Sequence, residues 1–157
     1  MKQLLLICAV VMSQSVLAAD KKPLTKEESA KVIEAAIRKV AKKPTGELTK
    51  ADLEKVTVLE LYQNQLTDVK GLEKLTQLEG LYLSINQLAD VKGLEKLTQL
   101  TKWLALNGNK LTSVKGLEKL TQLERLSLDD NPDLTKAQID ELKKALPKCD
   151  ISSNPTK

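Results

Sequence analysis

A ten-residue segment that recurs three times constrains the fold of this chain more than any other feature. Val-Lys-Gly-Leu-Glu-Lys-Leu-Thr-Gln-Leu occupies residues 69–78, 91–100 and 114–123, at spacings of 22 and 23 residues. The pattern Leu-x-Leu-x-x-Asn-x-Leu precedes each copy, and a fourth instance of it breaks off at Pro132. Self-similarity of this period is typical of stacked units, none of which buries its apolar side alone. The sequence therefore predicts a solenoid.

Each repeat is predicted to contain one strand and one arc. Leu-x-Leu has a period of two, so both leucines of a short strand lie on one face. In the recurring segment Val69, Leu72 and Leu75 are three residues apart, as are their equivalents in the later copies, and this step fits a tight helical turn or a short extended arc. Together these halves predict an α/β fold, a curved solenoid with a parallel sheet on its concave face and short arcs on its convex face.

An asparagine ends each strand pattern, where the chain turns into the arc. An asparagine amide both donates and accepts hydrogen bonds, so it can satisfy the turn backbone against which it is buried. We expect the four asparagines to stack as an internal ladder. They are Asn64, Asn86, Asn109 and Asn131.

The repeat pattern resembles that of the leucine-rich-repeat family. Leu-x-x-Leu-x-Leu-x-x-Asn-x-Leu with a period of 22 residues is similar to the internalin-type class of bacterial proteins, and the match covers roughly residues 48–134. The lead-in over residues 48–56 also resembles the end of the helical cap that opens internalin-type domains. The sequence has few repeats and shows neither an immunoglobulin-like domain nor a cell-wall sorting signal, so the resemblance does not imply host-receptor binding.

The segments on either side of the repeats are predicted to be helical caps that cover the apolar ends of the stack. Thr25 and Glu28 form a capping box for a helix whose apolar face runs from Ile33 to Ala41. Thr135 and Gln138 form another, before a helix and a final strand near Ile151. We expect an N-terminal cap over residues 20–55, repeats over 56–134 and a C-terminal cap and tail over 135–157. The first helix could instead lie on a membrane surface, although its apolar face is poor in bulky residues.

The first nineteen residues are predicted to be a secretory signal peptide. Lys2 precedes a nine-residue apolar run, which is followed by polar residues and by Val16-Leu17-Ala18-Ala19. Nine apolar residues are too few to span a membrane, which takes about 20. We expect cleavage after Ala18 or Ala19 and a secreted or periplasmic monomer without an integral membrane segment. It then keeps one cysteine, Cys149, which we expect to be inert.

Composition excludes several classes of function. The chain contains no histidine, which excludes Ser-His-Asp and Cys-His catalysis and histidine-ligated metal sites. The net charge of +4 is mild, and the lysines alternate with glutamates, so no stripe that tracks nucleic-acid phosphates is predicted. Asp68 and Asp90 recur at the start of the arcs, but Ser113 replaces the third, which favours local capping over a calcium site. No cofactor or metal is expected.

The candidate binding site is the outward face of the predicted sheet, because its side chains vary while the arcs are copies. Counting back from each asparagine by two, four and six places all three aromatic residues of the chain, Tyr62, Tyr82 and Trp103, on one diagonal of this face. The leucines on the opposite face already form the core, and exposed aromatic residues are common where partners bind. We expect the three to anchor a ligand, with Glu60, Arg125 and Asp129 as a polar rim.

Two features leave alternatives open at this site. In one alternative, the aromatic side chains only cover one another and the one-residue insertion near 101–103. If the insertion shifts the register by one, Trp103 takes the core position and Leu104 faces outward.

The sequence thus predicts an exported binding module without catalytic activity, which recognises a peptide, a protein or a glycan on its concave face. A structural or assembly protein of the cell envelope, packing through its convex arcs or its ends, is the alternative. Glu60, Glu124, Asp129 and Asp130 could in principle supply a carboxylate pair for glycoside hydrolysis, but the predicted sheet is open and nothing in the sequence desolvates any of them.

Overall fold

The structure, a computed structural model, describes residues 22–154. The predicted signal peptide lies outside these residues. Helices α1 and α2 come first, strands β1 to β4 alternate with single turns of 3-10 helix, and helix α3 and strand β5 complete the fold. Their bounds are α1 Lys26–Ala41, α2 Lys50–Leu53, β1 Val58–Glu60, β2 Gly80–Tyr82, β3 Trp103–Ala105, β4 Arg125–Ser127, α3 Lys136–Ala145 and β5 Asp150–Ser152, with 3-10 turns at Leu72–Lys74, Leu94–Lys96 and Leu117–Lys119.

The five strands form one parallel sheet in chain order, which confirms the predicted fold class. Every strand pairs with the next one along the chain, as a solenoid requires, since each repeat makes one circuit and returns beside its predecessor. The central leucines Leu59, Leu81, Leu104 and Leu126 are aligned with Ile151 of β5.

The one-residue insertion is accommodated before β3 and does not shift its register. Trp103 is aligned with Gly80 on one side and with Arg125 on the other, and Leu104 is 1% exposed. The extra residue lies between Leu100 and Trp103, where the backbone N–H groups of Glu124 and Arg125 donate to the carbonyls of Thr101 and Lys102. Trp103 therefore faces outward, and the shifted alternative is wrong.

The arcs are tight 3-10 turns, each preceded by a glycine in a backbone conformation that other residues rarely adopt. Gly93 has φ 97°, and its N–H donates to a carboxylate oxygen of Glu95 at 2.6 Å. At the start of this arc the carboxylate of Asp90 accepts a hydrogen bond from the N–H of Lys92 at 3.0 Å, which is the local capping that the sequence predicts. The leucines of the arc point inward and are fully buried.

One apolar core runs through the repeats into the helices at both ends. The leucines of strands and arcs form it, and Ile33 and Ile37 of α1 and Ile139 and Leu142 of α3 belong to the same cluster. Burying one leucine stabilises the fold by about 1.5–3 kcal/mol, so a stack of identical leucine layers supplies most of the stability. No helix of the described part of the chain is both long and apolar enough to cross a membrane.

The three helices begin at threonines whose side chains cap the first turn. Thr25 pairs with Glu28, Thr49 with Asp52 and Thr135 with Gln138, each in a reciprocal capping box. Asp52 also accepts hydrogen bonds from the ammonium groups of Lys43 at 2.9 Å and Lys55 at 3.2 Å. The side-chain hydrogen bond from Thr49 is the main reason that the pKa of Asp52 lies far below its usual range, and Lys43 adds to it.

Candidate functional site

The concave face consists of the strand side chains that alternate with the buried leucines. Since successive side chains of a strand point to opposite faces, the residues on either side of each central leucine are directed away from the core. The strand register aligns them in two rows across the sheet. The first row is Val58, Gly80, Trp103, Arg125 and Asp150, and the second is Glu60, Tyr82, Ala105, Ser127 and Ser152. We use "concave face" for these rows and for the residues that directly follow them.

Trp103 and Tyr82 form an aromatic pair on this face. Their ring centroids are 5.7 Å apart, and the ring planes are tilted by 40°. The indole lies directly against Gly80 of the neighbouring strand, where a Cβ atom would come within 2.6 Å of the indole nitrogen. The absence of a side chain at Gly80 thus makes room for Trp103. The indole N–H is buried and has no hydrogen-bond partner among the described residues.

Tyr62 lies at the other end of the aromatic diagonal and stands apart from this pair. Its side chain is 55% exposed, whereas Tyr82 and Trp103 are half-buried. The structure therefore brings two of the three predicted aromatic anchors into contact and leaves the third free to meet a partner.

Ile85 is a candidate site residue that sequence reasoning missed. It follows β2 at the rim of the concave face, it is 47% exposed, and its φ is +55°. A β-branched residue in the left-handed region is an outlier, with a cost on the order of 1–3 kcal/mol. The equivalent residues of the other repeats, just before the ladder asparagine, are Gln63, Gly108 and Asp130. An isoleucine where the other repeats carry glutamine, glycine and aspartate was the signal available in the sequence.

The polar residues of the predicted rim lie in two places. Glu60 on β1 and Arg125 on β4 are exposed, and no ion pair holds either of them within residues 22–154. Asp129 lies at the other end of the sheet, where its carboxylate accepts hydrogen bonds from the hydroxyls of Ser127 at 3.2 Å and Ser152 at 2.5 Å. The rim is therefore split between the aromatic half and the small polar residues around Asp129.

The asparagines hold the turns that lead out of the strands. The Asn86 amide nitrogen donates to the carbonyls of Leu61 and Leu83, and its oxygen accepts from the N–H groups of Asn64 and Leu66, all at 2.8–3.0 Å. Asn109 and Asn131 are also buried, and each bridges its own repeat to the preceding one in the same way. Asn64 is in the first repeat and is half-buried, and its side chain donates only to the carbonyl of Tyr62.

Charge is distributed unevenly between the two sides of the sheet. The chain has 23 lysines, but none occupies a position of the concave face. Lysines recur instead at two exposed positions of every arc, Lys70 and Lys74 in the first copy. The concave face carries the carboxylates of Glu60, Asp129 and Asp150 against the single guanidinium of Arg125. It is therefore acidic on a protein whose net charge is +4.

Two observations concern the metal-ligating and nucleophilic side chains of the described residues. Among the described residues no three histidine, cysteine or acidic side chains lie together as a metal cluster would require. Burial raises the pKa of the Cys149 thiol to about 11, with a smaller contribution from Asp150, so the nucleophilic thiolate is scarce at neutral pH. These side chains can bind and orient a ligand by contact, charge and hydrogen bonding.

Comparisons with known proteins agree with this architecture. The family model for leucine-rich repeats in two copies matches residues 54–96. Among solved structures, an internalin C2 from Listeria monocytogenes is 26% identical with a TM-score of 0.68, over 80% of this chain and 56% of that one. The functional domain of InlJ from the same species is 28% identical with a TM-score of 0.63, over 78% of this chain and 26% of that one.

A third similar structure comes from another organism. A leucine-rich-repeat protein of Leptospira interrogans is 33% identical with a TM-score of 0.58, over 69% of this chain and 28% of that one. The chain thus spans little more than half the length of the internalin C2 structure and about a quarter of the length of the other two. No curated protein sequence matches the chain.

Proposed function

Because the chain is a bacterial leucine-rich-repeat protein of the internalin-like type, we propose that it is an exported binding module that recognises a peptide, protein or glycan segment on its concave face and catalyses no reaction. One observation carries this proposal: the only aromatic residues of the chain all lie on that face. Solenoid proteins of this kind use such surfaces for binding.

The aromatic residues are not required for the core. The opposite face of every strand already buries its leucines, for example Leu59, Leu81 and Leu104 at 1% exposure or less. An exposed tyrosine such as Tyr62 adds little buried apolar surface to the core, but it offers a partner a large apolar surface with a polar tip. Trp103, Tyr82 and Tyr62 are therefore the proposed anchors, and Glu60, Arg125 and Asp129 contribute polar contacts.

The size of the concave face limits what it can hold. Five strands at about 4.8 Å spacing span roughly 20–24 Å. A standard protein interface buries ~800 Å² on each partner, which is more than this face offers. A short segment of a partner suits it better than a broad, tight protein complex.

The separation of Glu60 and Asp129 argues against glycoside hydrolysis by this pair. Glu60 is on β1 and Asp129 follows β4, so three strand spacings of about 4.8 Å place them at least about 14 Å apart. Glycosidases hold their two carboxyl groups roughly 5–9.5 Å apart. The carboxylate of Asp129 moreover accepts hydrogen bonds from two serine hydroxyls.

Export and capping are part of the same proposal. Export rests on the amino-acid pattern of residues 1–19. Because the exported chain would keep Cys149 as its single cysteine, it has to be stable without an internal disulfide. Helices α1 and α3 add their apolar faces to the two ends of the leucine core, as Ile33 and Ile139 illustrate. We assign them the role of caps that keep the ends of the stack from pairing with other chains.

A paired-bait experiment tests the binding proposal. The chain from Asp20 onward and its Tyr62/Tyr82/Trp103→Ala variant would be immobilised and exposed to envelope extract and to a glycan array. A Lys70/Lys92/Lys115→Gln variant, altered on the convex arcs, is the matched control, and circular dichroism would verify that all three are folded. We expect a component that the wild type and the lysine variant retain and the aromatic variant loses.

The opposite pattern would support assembly through the convex arcs. Equal retention by the wild type and the aromatic variant, with loss from the lysine variant, would overturn the concave-face proposal. Retention of nothing by any bait would also count against it.

A further inference from the structure

Building on the proposed concave-face function, we propose that the ligand is an extended protein segment that presents basic and apolar side chains together, and that it is not a glycan. Three observations on different residues point to this chemistry: the exposed aliphatic side chain of Ile85, the acidic character of the face, and the spacing of the aromatic residues.

Ile85 calls for an apolar partner group. It is held at φ +55° and packs partly over Gly108, yet it stays nearly half exposed, so the fold bears a backbone cost at this position without fully burying the side chain. Glycine or asparagine would fit this conformation with less strain. Its exposed part, like the exposed ring of Tyr62, is an apolar surface that an aliphatic side chain of a protein can cover. Sugars, in contrast, are bound by aromatic faces and hydrogen-bonding groups and would gain little from an isoleucine.

The charges on the face call for a basic group. Glu60 and Asp150 are exposed, Asp129 is half-buried, and Arg125 is the single cation beside them. None of the three acidic groups is in an ion pair within residues 22–154. Glu60, two residues before the exposed Tyr62, can attract a lysine or arginine side chain through both charge and cation–π contact, while Asp129 and Asp150 attract one by charge at the other end of the sheet. A polyanion would be repelled.

The spacing of the aromatic residues fits an extended chain. From Tyr62 to Tyr82, and from Tyr82 to Trp103, the diagonal advances one strand and two residues, a step of roughly 8 Å between Cα positions from strand geometry. The rings of Tyr82 and Trp103 lean together, with centroids 5.7 Å apart. Side chains on one side of an extended peptide repeat at about 6.8 Å. A segment that crosses the sheet obliquely therefore places alternate side chains close to successive aromatic residues.

Fluorescence of Trp103, the only tryptophan of the chain, provides the test. The chain from Asp20 onward would be titrated at low salt with the capped peptide Lys-Ser-Leu-Ser-Lys-Ser-Leu. Matched peptides replace both lysines by glutamate or both leucines by serine, and a hexamer of N-acetylglucosamine is the glycan probe. We expect the first peptide to bind at least about tenfold more tightly than each of the others.

Variants assign the effect to residues. Glu60→Gln/Asp129→Asn should weaken binding of the lysine–leucine peptide about fivefold or more, whereas the charge-matched control Glu47→Gln/Glu141→Gln, altered at exposed acidic residues off the concave face, should not. Ile85→Asn should weaken binding by a similar factor while the urea midpoint of unfolding stays the same or rises. Loss of stability in Ile85→Asn with unchanged binding would show that Ile85 has only a structural role, and would overturn the inference.

The outcomes separate this inference from the proposed function. Binding of the glycan or of the glutamate peptide that is lost in Tyr62/Tyr82→Ala, a variant that keeps Trp103, would overturn the ligand class and support concave-face binding. No change in Trp103 emission with any probe would also overturn the ligand class, and the paired-bait experiment alone would then decide on the concave face.

Discussion

The convex arcs and the concave strands of this protein differ in how strictly each copy repeats the last. The arcs repeat the same ten residues and the same geometry: the leading glycines have φ 104°, 97° and 103°, and each N–H donates to a glutamate carboxylate at 2.6 Å. The strands repeat their backbone register equally well, but one outward row reads Glu60, Tyr82, Ala105, Ser127 and Ser152.

This difference shows which residues the fold needs. Leucine, asparagine and the arc glycine recur in the repeats because each meets a fixed requirement for burial, hydrogen bonding or backbone conformation. The outward strand positions have no such requirement, so selection for binding can act on them without cost to the fold. The aromatic diagonal lies entirely in the variable half, which is why we place the binding site there.

The largest predicted loss of stability comes from replacing an asparagine of the ladder. It tests whether these asparagines recur because the fold requires them. Asn86→Ala leaves the Leu61 carbonyl and the N–H groups of Asn64 and Leu66 without their partner, while the Leu83 carbonyl keeps its hydrogen bond from Asn109. Each unsatisfied buried group costs about 1–3 kcal/mol. We expect urea unfolding to show a loss of about 3 kcal/mol or more. Asn64→Ala removes one bond at a half-buried position and should cost less than about 1 kcal/mol. Equal losses would mean that the ladder does not hold the turns.

Two glycines allow a direct comparison of the convex and concave sides. At Gly93 a methyl group meets open space, but φ is +97°, so Gly93→Ala should cost about 1–2 kcal/mol through backbone strain and leave the emission of Trp103 unchanged. At Gly80 the methyl group would overlap the indole of Trp103. Gly80→Ala should therefore displace the ring and shift its emission, with a smaller change in stability. An unshifted emission spectrum in Gly80→Ala would show that Trp103 does not lie against this strand.

Low pH should distinguish the N-terminal flank, where Asp52 caps a helix, from the C-terminal flank, where Gln138 does so. The Thr49 hydrogen bond and Lys43 lower the pKa of Asp52 when the protein is folded, so its carboxylate stabilises the fold above the unfolded pKa of about 3.9 and less as the pH falls below it. Thermal unfolding should show that the deficit of Asp52→Asn is largest near pH 7 and shrinks below about pH 4. The capping amide of Gln138 does not titrate, so the deficit of Gln138→Ala should be the same at both pH values. A constant Asp52→Asn deficit would contradict the assignment.

The sequence was sufficient to predict the repeats, the strand and arc positions and the outward placement of Tyr62 and Tyr82, because leucine spacing alone determines which side chains are buried. It did not determine the register of Trp103, since an added residue before a three-residue strand can be accommodated on either side of it. It also did not reveal Ile85, whose type gives no indication of a left-handed backbone. That conformation is imposed by the turn that the ladder holds, and it becomes visible only when the repeats are compared position by position.

The smallest predicted change in stability concerns the lysines of the convex arcs. It tests whether the convex side has a function of its own. Lys70, Lys92 and Lys115 are exposed and form no ion pair in the described part of the chain, so replacing all three by glutamine should change the free energy of unfolding by less than about 0.5 kcal/mol per site. Binding at the concave face and sedimentation behaviour should also be unchanged. If the three lysines are dispensable for both stability and binding, the arcs repeat because the fold requires their leucines and glycines, and the lysines are not needed for function. A change in self-association would instead mean that the lysines are repeated for contact, and would move the functional surface to the convex side.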